Sequence, residues 1–183
     1  MNLFEIESEL FGGEVKVIRP HDFLDDRGSL TITYLKDEFR SFGIRNEFVR
    51  QMVGRSRRNV LRGLHYQTDP AMGKLMQVTS GRAFLVTVDL RPNSPTFLGY
   101  HAIVASGYEP RMIWAPGDFA RGYYALEDNT VIQYNCDAYV GADKAIYWND
   151  PDIGIDWPLI DVSPILSERD ANARTAKEMW GRL

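Results

Sequence analysis

The pattern of hydrophobic and polar positions along the chain predicts mainly β structure. Short segments rich in β-branched and aromatic residues recur, and one of them places Phe84, Val86 and Val88 on a single face. Gly, Pro, Asn and Asp residues punctuate the chain between these segments, as expected of tight turns. The predicted strands are 14–20, 29–35, 47–56, 74–81, 82–90, 100–106, 111–119, 123–128 and 130–140.

Helical periodicity is confined to two stretches, residues 35–43 and the tail formed by residues 167–183. No repeat and no low-complexity linker divides the sequence, so one domain is expected to span residues 1–183. Many short strands in one domain are typical of a β-sandwich or a closed barrel, and the jelly roll is among the candidates.

Composition narrows the function classes. The 183 residues include 21 Lys and Arg against 25 Asp and Glu, which gives a net charge of -4. This chain therefore lacks the basic field expected of a protein that binds nucleic acid or an anionic membrane. No apolar run approaches the roughly 20 residues of a membrane span, and the first residues lack a signal-peptide pattern. The single cysteine, Cys136, cannot form an internal disulfide, and we expect a cytoplasmic protein.

One strand-like segment, which begins NVLRGLHYQ, carries an Arg, a His and a Lys on an otherwise apolar run. In a regular strand His65 would share a face with Leu61 and Gly63, while Arg62 and Leu64 would point to the other side. Two interpretations are open. The segment is either a surface strand with one titratable group or a proton-transfer site inside a barrel.

Seven motifs resemble, in their order, those of the dTDP-4-dehydrorhamnose 3,5-epimerase family. They lie between about Val17 and Ala171, and the longest are too specific for chance agreement. The resemblance implies a cupin-type jelly-roll barrel with short peripheral helices, usually a homodimer. It also implies a nucleotide-linked 4-keto-6-deoxy sugar as substrate, with no metal and no redox cofactor. The motifs are DDRGSL, VLRGLHYQ, GKLMQV, VDLRPNSPTF, WAPGDFARGY, WNDPDIGIDWP and LSERDA.

The resemblance also assigns the reacting groups. In a 4-keto sugar the carbonyl acidifies the C–H bonds at C3 and C5, because loss of either proton gives an enolate on O4. Epimerisation needs a base on one face, a proton donor on the other, and a stabilising group near O4. By resemblance His65 is the base, and Asp170 orients its ring and stabilises the imidazolium. Lys74 is expected near O4, and Tyr134 is expected to be the acid.

Substrate-binding residues follow from the same resemblance. Arg62 is expected to face the diphosphate, because a guanidinium fork matches phosphate oxygens, and Tyr139 is expected to stack on a pyrimidine. The simpler alternatives are a solvated surface charge for the former and a core aromatic for the latter. The expected substrate-binding set is Arg27, Arg55, Ser56, Arg62, Gln67, Arg121 and Tyr139.

A metal site is not expected. Metal-binding cupins supply a His-x-His pair with a nearby Glu and a further His. In this chain His21, His65 and His101 stand far apart, and no His-x-His occurs. The sequence therefore predicts no metal site, and the family resemblance implies an isomerase that works without another cofactor.

The chain departs from the family pattern in the part expected to recognise the substrate. Family members often read FVQDNHSRS where this chain reads FVRQMVGRS, so residues 50–54 differ. The family motif FAHGF is FARGY in this chain, so Arg121 replaces the His. Leu30 and Ile32 stand where aromatic residues and then a Glu are common. A lost carboxylate would remove an acceptor for the N3–H of thymine, so another base, such as cytosine, is a candidate.

Several points stay open at the level of the sequence. The nucleotide is dTDP, CDP, GDP or UDP, and the inverted carbon is C3, C5 or both; a CDP-linked 5-epimerase and a 3-epimerase are variants. A second class is a 3,4-ketoisomerase-like or non-catalytic cupin that binds sugar nucleotides. Those proteins lack the long tail WNDPDIGIDWP…LSERD, which favours the epimerase. Intact catalytic motifs with altered recognition residues indicate a related sugar nucleotide as substrate.

Overall fold

The computed structural model describes residues 2–159 and 162–181 of the chain. Within them no helix is both long enough and apolar enough to cross a membrane. The strands are β1 (Phe4–Leu10), β2 (Val15–Pro20), β3 (Asp22–Asp25), β4 (Gly28–Thr31), β5 (Arg50–Ser56), β6 (Leu61–Thr68), β7 (Lys74–Ser80), β8 (Arg82–Asp89), β9 (Tyr100–Ser106), β10 (Met112–Ala115), β11 (Phe119–Ala125), β12 (Thr130–Cys136) and β13 (Ala142–Ala145), and the helices are α1 (Lys36–Ser41), α2 (Glu168–Ala171) and α3 (Ala176–Trp180).

The strands form two antiparallel sheets and one separate hairpin. The six-stranded sheet has the order β1-β2-β10-β7-β12-β5, the five-stranded sheet has the order β13-β6-β11-β8-β9, and β3 pairs with β4. From β5 onward the chain passes repeatedly from one sheet to the other, as it does in a jelly roll. The mainly β jelly-roll barrel predicted from the sequence is therefore confirmed.

The helices are short and peripheral, as expected. The helix α1 begins after Leu35 and buries Phe39. The predicted helical tail divides into two: α2 follows Ser167, whose side chain accepts a backbone N–H, and α3 opens with a capping box formed by Thr175 and Glu178. These caps satisfy backbone donors that a helix of one turn would otherwise leave without partners.

An apolar core fills part of the space between the two sheets, because alternate residues of each strand point inward. This core ends at Tyr123 and Tyr134, which also line the cavity described below. Its inward-facing members are Val15, Val17, Met76, Val78, Ala83, Leu85, Ala105, Ile113, Ala115, Phe119, Tyr123, Ala125 and Ile132.

The C-terminal segment covers the outer face of the five-stranded sheet. Ile153, Ile155 and Trp157 join the buried cluster on that face, and each such side chain contributes roughly 1.5–3 kcal/mol when fully buried. The buried carboxylate of Asp150 accepts the N–H of Ala176 at 2.6 Å, which ties this segment to α3. Between Asp150 and Ala176 in sequence lies α2, which carries Asp170 to the back of β6.

Strand β6 is not regular, and this overturns the face assignment made from a two-residue alternation. Opposite β11, His65 pairs with Arg121 and Arg62 pairs with Tyr123, so one residue of β11 faces two residues of β6. This bulge puts Arg62, His65 and Gln67 together on the inner face. Leu61, Leu64 and Tyr66 point outward into the cluster under the C-terminal segment.

Gly63 makes the bulge possible. Its φ of +136° is a conformation that side chains with a Cβ rarely adopt. A Cβ at this position would lie 2.6 Å from the Cα of Gly122 on the neighbouring strand. Only a glycine fits this backbone conformation and this close approach.

Candidate active site

A cavity of about 630 Å³ opens between the two sheets, where β5, β7 and β12 face β6 and β11. It brings together His65, Tyr134 and Lys74 of the predicted catalytic residues. Of the predicted substrate-binding residues it contains Arg55, Arg62, Gln67 and Arg121. The side chains and backbone that line it belong to Arg50, Met52, Val53, Gly54, Arg55, Arg62, His65, Gln67, Lys74, Met76, Arg121, Gly122, Tyr123, Tyr134, Val140, Gly141 and Asp143.

His65 is paired with Asp170 behind the cavity wall. Its Nε2 lies 2.6 Å from Oδ1 of Asp170, a residue 105 positions away in sequence. The imidazole is partly exposed to the cavity, whereas the carboxylate is only 3% exposed. The carboxylate therefore fixes the ring and leaves Nδ1 for a proton from a bound molecule, as in other carboxylate–histidine pairs.

The C-terminal tail holds Asp170 in place. Ile165, three residues before α2, exchanges backbone hydrogen bonds with Asn59 and with Leu61, the first residue of β6. Burial alone would raise the pKa of Asp170, but the hydrogen bond and charge of His65, together with the N–H of Gly63 at 3.4 Å, bring it below its ordinary value. Asp170 is therefore an anion and stabilises a positive charge on the imidazole.

Tyr134 lies on the opposite sheet, on β12, and faces His65 across the cavity. It pairs with Met52 on one side and with Met76 on the other. Burial, the largest cause, raises the pKa of Tyr134 well above its ordinary value. The phenol is therefore neutral and can donate its proton.

Lys74 lies on β7 of the same sheet as Tyr134 and pairs with Cys136, two residues beyond Tyr134. It is 7% exposed, and no carboxylate of the described residues forms an ion pair with it. Burial, and then the charge of Arg121, lower the pKa of Lys74 from 10.5 to about 8. Its ammonium is therefore poorly solvated and suited to bind a developing negative charge.

Arg121 lies inside the barrel beside His65 and is buried, with 4% of its surface exposed. Its guanidinium donates to the backbone carbonyls of Ala115, Pro116 and Phe119, with distances of 2.6 Å to Ala115 and 2.8 Å to Phe119. Among the described residues its Nε has no partner. Arg121 thus brings a permanent charge to the cavity, with most of its donors already used by the backbone.

Arg62 lines the cavity and is linked by hydrogen bonds to Ser56 and, through Ser56, to Tyr123. Its Nε donates to Oγ of Ser56 at 3.2 Å, and that oxygen lies 2.8 Å from the hydroxyl of Tyr123. Ser56 is therefore placed beside the cavity rather than in its lining. Sequence reasoning missed Tyr123, although its position two residues after Arg121 on one strand was a usable signal.

Gln67 sits at the end of the cavity formed by β6 and β13. Its Nε2 donates to Asp143 at 3.2 Å, and Asp143 is a second cavity residue that sequence reasoning missed. The buried Oε1 of Gln67 has no hydrogen-bond partner within the described part of the chain. That oxygen can accept a hydrogen bond from a bound molecule.

A sequence model of the dTDP-4-dehydrorhamnose 3,5-epimerase family matches residues 12–178. The chain belongs to this family. The family's enzyme from Methanothermobacter thermautotrophicus is 39% identical over 165 residues, which cover 88% of this chain and 89% of that protein. The family resemblance read from the motifs is confirmed, and the chain is an epimerase of the nucleotide-sugar type.

Solved structures of related epimerases have the same fold. The dTDP-6-deoxy-D-glucose 3,5-epimerase of Legionella pneumophila, solved with dTDP-4-keto-L-rhamnose, has a TM-score of 0.90 and 35% identity, covering 94% of this chain and 92% of that one. A 3'-monoepimerase of Streptomyces bikiniensis, solved with dTDP-quinovose, has a TM-score of 0.84 and 28% identity, covering 92% and 87%. The fold thus serves epimerases of one carbon and of two.

Besides Ser56, two residues expected to bind substrate in this epimerase lie outside the cavity lining. Arg27 is at the turn of the β3–β4 hairpin, where it pairs with Asp25 at 2.5 Å and its side chain is 90% exposed. Tyr139 is 69% exposed near the cavity mouth, and its carbonyl accepts from Arg50 at 2.8 Å. Their roles in substrate binding stay predictions. Leu30, another departure from the family pattern, is exposed on the same hairpin.

The altered residues of β5 line the cavity of this epimerase. Arg50, Met52 and Gly54 alternate along the strand and face inward, whereas Gln51 bonds to Asn135 on the outer face. These three altered residues therefore offer the substrate one cation, one thioether and bare backbone, and Arg55 on the same strand adds a second cation. Across residues 2–159 and 162–181, no three His, Cys, Asp or Glu side chains are grouped so as to hold a metal ion.

Proposed function

We propose that the protein inverts C3, C5 or both of a nucleotide-linked 4-keto-6-deoxyhexose through an enolate. The observation that carries the proposal is one cavity with the His65–Asp170 pair on one wall and a neutral phenol, Tyr134, on the other. A base and an acid on opposite sides of a bound ring are what inversion of a carbon requires. Family membership supports the substrate class, and the geometry supports the task proposed for each group.

The first step removes a proton. Nδ1 of His65 accepts the proton from C5 or C3, and the C–H electron pair moves into the ring to leave the negative charge on O4. Asp170 stabilises the imidazolium that forms. The Lys74 ammonium stabilises the charge on O4, a contribution of a few kcal/mol for a preorganised cation in a partly dry site.

The second step returns a proton to the other face. Tyr134 donates its hydroxyl proton to the same carbon, the O4 carbonyl re-forms, and the configuration is inverted. The phenolate and the imidazolium then return to their starting states by exchange with solvent. Because the chemistry is proton transfer alone, it needs no oxidant, no reductant and no covalent intermediate.

The nucleotide end is proposed to lie toward β5, where positive side chains cluster. Arg50, Arg55 and Arg62 all line this part of the cavity. Guanidinium groups bind phosphate oxygens in pairs, so these residues suit a diphosphate. The base itself is not assigned.

A homodimer is part of the proposal. The β3–β4 hairpin pairs only with itself and exposes Leu24 and Leu30, which are 77% and 68% exposed. The cavity mouth also exposes apolar side chains, Val53 and Val140. If the hairpin of one subunit covers the mouth of the other, both apolar surfaces are buried and the partner's Arg27 reaches the substrate. A cytoplasmic location is also proposed, in keeping with a single, buried cysteine.

The test is deuterium exchange in D₂O, followed by NMR, with dTDP-, CDP-, GDP- and UDP-linked 4-keto-6-deoxy sugars. Wild-type protein should introduce deuterium at C5, C3 or both of at least one substrate. His65→Asn should reduce that exchange by at least about 10²-fold without loss of folding. His101→Asn, a histidine on β9 outside the cavity, is the matched control. Near wild-type exchange by a folded His65→Asn variant would contradict the assigned base.

A further inference from the structure

One buried phenol takes no part in the reaction scheme above. Tyr123 is 1% exposed, yet its hydroxyl faces the cavity and lies 2.8 Å from Oγ of Ser56. The family pattern FAHGF has Phe at this position, and this chain reads FARGY. The barrel therefore does not depend on the hydroxyl, and its contacts indicate another role.

The hydroxyl of Tyr123 lies beside the proposed acid. A Cβ at Gly54 would be 3.5 Å from the Tyr123 oxygen and 3.9 Å from Cε2 of Tyr134, so the hydroxyl of one ring and the edge of the other meet over this glycine. Burial, the largest cause, raises the pKa of Tyr134, which keeps the acid protonated but leaves its phenolate poorly solvated.

Once Tyr134 has lost its proton, the neighbouring hydrogen bonds can all point toward it. A guanidinium has donors but no acceptor, so Arg62 can only donate to Ser56. The Ser56 hydroxyl can then donate its proton to the Tyr123 oxygen. The Tyr123 hydroxyl can in turn donate its proton to the Tyr134 oxygen. Each bond in such a chain polarises the next.

We propose that Tyr123 is a positioning residue for the proton donor: together with Ser56 and Arg62 it forms a hydrogen-bond chain that stabilises the Tyr134 phenolate left after proton transfer. The inference rests on the acid role proposed for Tyr134. It adds a residue that is particular to this chain, because the Phe of the family pattern cannot donate a hydrogen bond.

The consequence is a change in how the enolate is used. The enolate can recover a proton from the His65 side, which gives deuterium exchange without inversion, or from Tyr134, which gives inversion. Loss of the Tyr123 hydroxyl leaves the first route intact and makes the second less favourable. The ratio of exchange to inversion therefore reports on the hydrogen-bond chain. A general loss of packing would instead lower the rates of exchange and of inversion together.

The experiment measures both rates in D₂O by NMR, with the substrate that wild-type protein turns over best. Tyr123→Phe should raise the ratio of exchange to inversion at least about tenfold, the effect expected when a charged oxygen loses one donor. Ser56→Ala should do the same, and the double variant should add little, because both changes break one chain. Tyr134→Phe gives the limit of exchange without inversion.

Tyr124→Phe is the matched control. Tyr124 is equally buried on the same strand, and its hydroxyl donates to Asn59 at 2.7 Å on the side away from the cavity. The ratio of exchange to inversion for Tyr124→Phe should equal that of wild type. A ratio for Tyr123→Phe within threefold of Tyr124→Phe would overturn the inference, and a larger rise supports it. If wild-type protein exchanges no substrate at all, the proposed function fails as well, so the two failures are told apart.

Discussion

Lys74 is expected to lower the stability of the fold and to raise the activity of the enzyme, and the substitution Lys74→Met can test both effects. It is a buried cation with no ion-pair partner among the described residues, and burial followed by the charge of Arg121 lowers its pKa from 10.5 to about 8. The folded protein therefore binds this proton less tightly than the unfolded chain does. At neutral pH the charged side chain therefore destabilises the fold, and in the proposed reaction it binds the anionic oxygen of the substrate.

The size of the effect follows from the two pKa values. A drop from 10.5 to about 8 corresponds to about 3 kcal/mol at pH 7, since each tenfold change in proton affinity is about 1.4 kcal/mol. Between pH 8 and 10.5 the unfolded chain holds the proton that the folded protein has released, so wild-type stability rises with pH across this window. Lys74→Met removes the group and its pH dependence together.

The assay is urea unfolding of wild type and Lys74→Met between pH 7 and pH 10.5. Lys74→Met should be more stable at pH 7 by up to about 3 kcal/mol, and the difference should shrink as pH rises past 8. Its kcat/KM should fall by roughly 10²–10³-fold, and wild-type kcat/KM should decline above about pH 8 as Lys74 loses its charge. Lys177→Met, at an exposed position on α3, is the control. A stability difference independent of pH, or a less stable Lys74→Met at pH 7, would refute the reasoning.

Three further outcomes are expected. Asp170→Asn should move the acidic limb of the kcat/KM profile to lower pH, because an amide does not stabilise imidazolium; an unchanged limb contradicts the pair. Arg121→His should move the basic limb of the kcat/KM profile to higher pH, because the charge of Arg121 lowers the pKa of Lys74. It should also shift substrate preference toward dTDP-4-keto-6-deoxyglucose. Kinetics equal to those of wild type would contradict a role for Arg121 in recognition. Arg27→Ala and His65→Asn, each inactive alone, should regain activity when mixed and refolded if the hairpin completes the partner's site, and should stay inactive if it does not.

Local signals in the sequence predicted most of the barrel. The alternation of Phe84, Val86 and Val88 is confirmed, since all three pack on the outer face of the five-stranded sheet. Three strands were missed. Two of them, β3 and β13, have only four residues each and expose most of them, so they bury too little to leave a hydrophobic pattern. The third, β1, does alternate, but it is an edge strand with one buried residue.

The candidate active site was predictable only as a set of motifs, because its geometry depends on contacts that are distant in sequence. No local rule brings Asp170 to His65 across 105 positions; the tail is drawn there because the outer face of the five-stranded sheet has to be covered. A regular two-residue alternation put Arg62 and His65 on opposite faces, and the bulge at Gly63 puts them on the same one. The signal was present, since a glycine inside a strand indicates a bulge or a close backbone approach. The sequence could not show that Gly122 lies against Gly63, because only the pairing of β6 with β11 brings the two glycines together.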